Sequence, residues 1–182
     1  MLPKKYKYLV QEPAPKMLLQ ALSEYGTLEV VGNGNNPKIL AWAQEVGSEV
    51  AEVYKADAIP WCGLAMAIFA QRAGKMLPKS PLWALSWAVF GDYIETPMLG
   101  DVLVFTRRTA DGKKAGHVSL YVGEDKTTYH CLGGNQSDAI NITRIVKTRL
   151  YTSRRAEYKL GVPPNIRRVF ISASGEVSNN ES

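Results

Sequence analysis

The chain has 182 residues, enough for one domain with a substantial core and too few for two. Apolar residues make up 46% and charged residues 21%, which excludes an intrinsically disordered chain, and no apolar run approaches the ~20 residues of a membrane helix. Lys and Arg number 22 against 17 Asp and Glu, and the resulting net charge of +5 favours an anionic partner such as a cell-wall polymer. The basic residues fall in small clusters, among them Arg107-Arg108, Lys113-Lys114 and Arg154-Arg155, with no nucleic-acid-reading motif beside them, so no nucleic-acid partner is expected.

Residues 1–12 read as a basic arm carrying Lys4, Lys5 and Lys7. No apolar signal core follows it, so synthesis in a cytoplasm without a signal peptide is expected. Residues 13–26 predict a helix, with Met17, Leu18, Ala21, Leu22 and Tyr25 at helical spacing and Gly26 as its stop. A turn at 32–36 ends in Asn36-Pro37, a helix-start signal, and the helix that follows ends near Gly47 or continues, bent, to Val53. A third helix spans 62–73, with Cys62, Ala65, Met66, Phe69 and Ala73 on one face. Ser80-Pro81 opens a fourth that stops at Gly91.

After Pro97 the period changes to that of strands. The run 102–105 is apolar. In 117–122, Val118, Leu120 and Val122 alternate with His117, Ser119 and Tyr121. Residues 127–132, 140–145 and 148–153 are further strand candidates. Helices followed by an antiparallel sheet indicate an α+β fold in a single domain over 13–171. The Ser/Asn/Gly/Glu-rich stretch 172–182 reads as a flexible tail.

Two cysteines do not make a disulfide framework, and a free thiol suits a reducing compartment. In Ile59-Pro60-Trp61-Cys62-Gly63, Cys62 stands in the first turn of the third helix. There the unpaired N–H groups and the macrodipole favour a thiolate, the nucleophilic form. In Ala115-Gly116-His117-Val118, His117 opens a strand and is the candidate general base. In Leu132-Gly133-Gly134-Asn135-Gln136-Ser137, Asn135 is the candidate for orienting the imidazole, with Gln136 in reserve.

These blocks, with Pro97-Met98-Leu99-Gly100-Asp101-Val102 between them, resemble the CHAP and NlpC-type branch of papain-like cysteine peptidoglycan hydrolases, from about Lys16 to Arg155. The resemblance implies a papain-like fold, with N-terminal helices packed on a curved antiparallel sheet. It implies Cys62 as nucleophile, His117 as base and Asn135 as orienting residue, cleaving an amide of bacterial peptidoglycan without metal or cofactor. Many CHAP enzymes carry an acid two positions before the Asn; here that position is Gly133. The expected setting is a phage endolysin acting as a monomer in the periplasm or at the cell wall after holin-type release. The alternatives are a secreted antibacterial effector with the same chemistry and a non-catalytic wall-binding module on the same fold.

Other assignments weigh less. Cys62, His117, His130 and Cys131 are zinc ligands by type, but His130 and Cys131 are adjacent on a strand and face opposite ways. Cys131 reads as a buried, inert thiol. Trp61, Trp83 and Trp87 are candidates to line a substrate groove; Trp61 and Trp87, with Gln136, complete the expected substrate contacts. Asp57 is either a site residue or a capping residue.

Overall fold

The computed structural model describes residues 1–32, 34–108 and 112–178. Asn33 of the predicted turn and residues 179–182 of the predicted tail lie outside the described residues. The fold is α+β, with four α-helices, three 3-10 helices and a six-stranded antiparallel sheet among the described residues.

The helices follow their sequence signals with adjusted ends. Helix α1 (Lys16–Ser23) starts directly after Pro15 and buries Met17, Leu18 and Ala21. Helix α2 (Pro37–Val46) begins where Asn36 Oδ1 accepts the N–H of Lys38 at 2.9 Å and Pro37 takes the first helical position. It ends at Gly47, and α3 (Ser48–Val53) follows at once. Helix α4 (Cys62–Arg72) differs from a one-faced stripe: every residue from Cys62 to Ala70 is buried, so the helix is enclosed on all sides. The predicted fourth α-helix is instead a 3-10 helix (Ala84–Val89). The bonds that turn the chain here span three residues, from Trp83 N to Ser80 O, Ser86 N to Trp83 O and Phe90 N to Trp87 O.

The strands are β1 (Asp92–Tyr93), β2 (Val102–Arg108), β3 (Lys114–Glu124), β4 (Thr128–Gly133), β5 (Asn141–Val146) and β6 (Leu150–Arg155), in spatial order β1-β6-β2-β3-β4-β5. Strand β3 begins three residues before His117, which therefore lies within it rather than opening it. A 3-10 turn (Lys147–Arg149) delays β6 to Leu150. Period-two alternation divides the sheet. Val102, Val104, Val118, Leu120, Val122 and Leu132 join the helices in the main core, while Leu103, Phe105, Tyr121, Cys131 and Ile145 make a second cluster. His117 pairs with Phe105 and Ser119 with Leu103, so both belong to the second set of alternating positions. No helix among the described residues is long and apolar enough to cross a membrane.

Both ends of the described chain make contacts with the sheet. Residues Lys4–Val10 form a 3-10 helix that buries Tyr6 and Leu9 in the main core. The Tyr6 hydroxyl donates to His130 Nδ1 at 2.7 Å, and His130 Nε2 donates to Asp125 Oδ2 at 3.1 Å. Arg144 donates to the same carboxylate at 2.8 and 3.0 Å and to the carbonyl of Gly175 at 2.6 Å. Val177 bridges Arg144 in parallel, and Ser178 N donates to Arg144 O at 2.8 Å, so the outer side of β5 is partly paired. Burial opposes charge on Asp125, but hydrogen bonds from Thr128, Thr127 and His130 outweigh it and hold the carboxyl far below its ordinary range. Burial depresses His130, beyond what Asp125 restores.

Candidate active site

Cys62 is the first residue of α4, and the preceding Trp61 provides no side-chain cap. The first N–H groups of a helix have no intrahelical partner, so this end is a fixed region of partial positive charge. Cys62 and Cys131 are both buried. Cys62 retains 7% exposure, whereas Cys131 has none.

The opening turn of α4 is held by close backbone approaches. A methyl group on Gly63 would lie 2.3 Å from the Leu82 carbonyl oxygen, so only glycine lets the 81–82 chain pass. One on Gly134 would lie 2.5 Å from Ala65 Cβ and 2.7 Å from the Trp61 ring. The loop after β4 is thus seated directly on the residues flanking Cys62.

That loop also carries the partner of His117. Gln136 Nε2 donates to the carbonyls of Asn141 at 2.7 Å and Cys131 at 3.2 Å. Its Oε1 is therefore the acceptor facing His117 Nε2 at 3.0 Å. This fixes the tautomer: in a neutral ring Nε2 carries the proton and Nδ1 is the basic nitrogen. The loop is further closed by Asn141 Nδ2 donating to Gln136 O at 2.6 Å and Gln136 N to Ala139 O at 3.1 Å. Asn135, Ser137 and Asp138 all have positive φ, at 55°, 50° and 58°, a concentration of unfavourable backbone of the kind found at functional sites.

Of the two predicted orienting residues, it is the reserve, Gln136, whose side chain meets the imidazole at 3.0 Å. The left-handed turn at Asn135 re-aims the chain, and the carboxamide one residue later reaches Nε2. Trp61 and Trp87 are 0% exposed, so neither lines a groove. Trp61 packs beside Trp42 and donates to Glu29 Oε2 at 3.0 Å, and Trp87 donates to Pro81 O at 3.0 Å. Their indole N–H groups are engaged inside the fold. Trp83, in contrast, is 61% exposed and adjoins the Leu82 carbonyl that meets Gly63.

Asp57 is structural. Its carboxylate accepts from Val30 N at 3.0 Å and Asn36 N at 2.7 Å, and its own N–H donates to Asn35 Oδ1. Glu29 N in turn donates to Asp138 O at 2.8 Å. The segments around 29–36, 57–61 and 134–140 are thereby laced together at the start of α4. Sequence reading missed Glu29 and also Ser119, two residues from His117, whose buried hydroxyl has no hydrogen-bond partner. The paired glycines at 133–134 were the available signal of a close approach here.

Comparison with known proteins finds no match: no family model, no curated protein and no solved structure is similar to this chain.

Proposed function

We propose that the protein is a cysteine-dependent peptidoglycan hydrolase of papain-like type, related to CHAP and NlpC enzymes, with Cys62 as nucleophile, His117 as general base and Gln136 as the residue that orients the imidazole. The observation that carries this reading is the Gln136 Oε1 contact to His117 Nε2. It leaves Nδ1 as the base, and it is made by a loop seated on the first turn of the Cys62 helix.

In this reading His117 takes the thiol proton, and the Cys62 thiolate attacks the carbonyl carbon of a stem or cross-bridge amide. The N–H groups at the start of α4 stabilise the oxyanion. His117 then protonates the leaving amine, and a water deprotonated by His117 releases the acyl group from sulfur. In this reading the exposed residues 58–60 and the exposed Trp83, next to the Leu82 carbonyl that meets Gly63, take the substrate-facing place expected of Trp61 and Trp87. Release of the protein to the wall by a holin or a secretion apparatus belongs to the same proposal.

The test pairs a chemical readout with a catalytic one. Alkylation of Cys62 by iodoacetamide, followed by mass spectrometry across pH with buried Cys131 as internal reference, is expected to show a reactive thiolate well below the ~8.5 of a free thiol. In His117→Ala the profile moves up toward that value. Cys62→Ala and His117→Ala each lose wall clearing by about 10³-fold or more. Identical alkylation profiles, or walls cleared by Cys62→Ala, overturn the reading.

A further inference from the structure

The two strands that run toward His117 carry a concentration of positive charge at their shared end. Strand β2 closes on Arg107 and Arg108, and β3 opens after Lys113 with Lys114, which pairs with Arg108 across the ladder. Between Arg107 and Lys114 the sequence holds four cations and a single acid, Asp111. Arg108, Lys113 and Lys114 are exposed. In the 3-10 turn before β6, Arg149 lies within 3.5 Å of the Thr106 carbonyl, and on β6 the ring of Tyr151, itself 55% exposed, has Lys114 4.6 Å above it. The basic band thus crosses β3, β2 and the start of β6.

Its shape selects the ligand. Neighbouring residues of a strand face opposite sides, so Arg107 lies on one face of the ladder and Arg108, with its partner Lys114, on the other, rather than around a hollow. A small anion gains little from such a band, whereas a chain of repeated anions meets several cations in succession. Guanidinium groups in the band favour phosphate oxygens, which they engage in pairs. Lys114 is three residues from His117, roughly 10 Å along the strand.

We propose that this hairpin end is the docking surface for the phosphodiester polymer of the bacterial wall, holding the protein so that Cys62 and His117 face the peptidoglycan to which that polymer is attached. The proposal rests on the hydrolase reading for its choice of polyanion, and its test needs no cleavage. Full-length Cys62→Ala protein is sedimented with purified walls, with walls stripped of phosphate polymer by hydrofluoric acid, and with duplex DNA as a competitor. A variant combining Arg107→Glu, Arg108→Glu, Lys113→Glu and Lys114→Glu is compared with a control reversing Lys4, Lys7, Lys55 and Lys79, which are exposed elsewhere. Circular dichroism checks that both fold.

The expected result is salt-sensitive binding to intact walls that falls at least tenfold on stripped walls and at least tenfold in the hairpin variant, with the control binding like the parent. Equal loss in both variants reduces the effect to net charge and overturns the proposal. Undiminished binding to stripped walls, or displacement by DNA at lower phosphate concentration than by the wall polymer, overturns it too. Because binding is read without turnover, walls cut by an enzyme lacking this docking would leave the hydrolase reading standing and sink this one alone.

Discussion

At the scale of single residues, the carboxamide of Gln136 is the informative group. Its nitrogen is committed to two carbonyls, so its oxygen faces the imidazole in one orientation only. Gln136→Ala should cost about tenfold or more in wall-clearing rate while leaving Cys62 in place to be alkylated. Asn135→Gly, which keeps the left-handed backbone and removes the side chain, should stay within a few-fold of wild type. If Asn135→Gly is the damaging change and Gln136→Ala is silent, the orienting role belongs to Asn135 after all. Strand alternation read from sequence has no means of seeing three positive φ angles in four residues, which is why it could not say which of the two neighbours reaches the imidazole. Ser119 offers a second check. Its buried hydroxyl is unsatisfied, and leaving such a group dry costs about 1–3 kcal/mol. Ser119→Ala should therefore hold or raise the thermal unfolding midpoint, measured by calorimetry.

At the scale of elements, the helices were the most legible part of the sequence, because Asn36-Pro37 and the apolar spacing of α1 and α2 are local signals. Helix α4 was legible in position but not in burial: its enclosure depends on 81–82 and 134 coming from elsewhere in the chain. Likewise β1 has two residues, too few to show a period, and the 3-10 helix before it is set by bonds spanning three residues. The closeness of these elements is testable. Gly134→Ala inserts a methyl group against Ala65 and Trp61 and should destabilise by about 1–3 kcal/mol, with wall clearing reduced as the loop lifts from the helix. A stability and rate equal to wild type would mean the loop is not seated where it is described.

At the scale of the whole molecule, the predicted boundaries at 12 and 172 were drawn from composition, which carries no sign of the contacts that both end segments make with the sheet. Lysines flank Tyr6 on both sides and Leu9 lies between Tyr8 and Val10, so the two buried anchors of the arm do not stand out from their neighbours. The network from Tyr6 through His130 and Asp125 to Arg144 also makes stability depend on pH. His130 is depressed in the folded state, with Lys5 and Arg144 adding to the effect of burial. Below its unfolded value of about 6.5 the unfolded chain binds a proton that the folded one resists, so stability falls as pH falls. Asp125 is likewise depressed, and its contribution is lost as pH drops below about 4. His130→Gln should flatten the decline in unfolding midpoint between pH 7 and 5, whereas His117→Gln should leave that slope in place; the reverse pattern would assign the titration to His117.

The pairing of Val177 and Ser178 with Arg144 has a consequence for handling the protein. A sheet with an open outermost strand invites the same strand of another molecule. Trimming by a protease back to residue 171 would strip that cover from β5 without removing any residue of the proposed catalytic set. The clipped protein should still clear walls when fresh and dilute, yet scatter light increasingly on concentration and storage, so its shelf life would fail before its catalysis does.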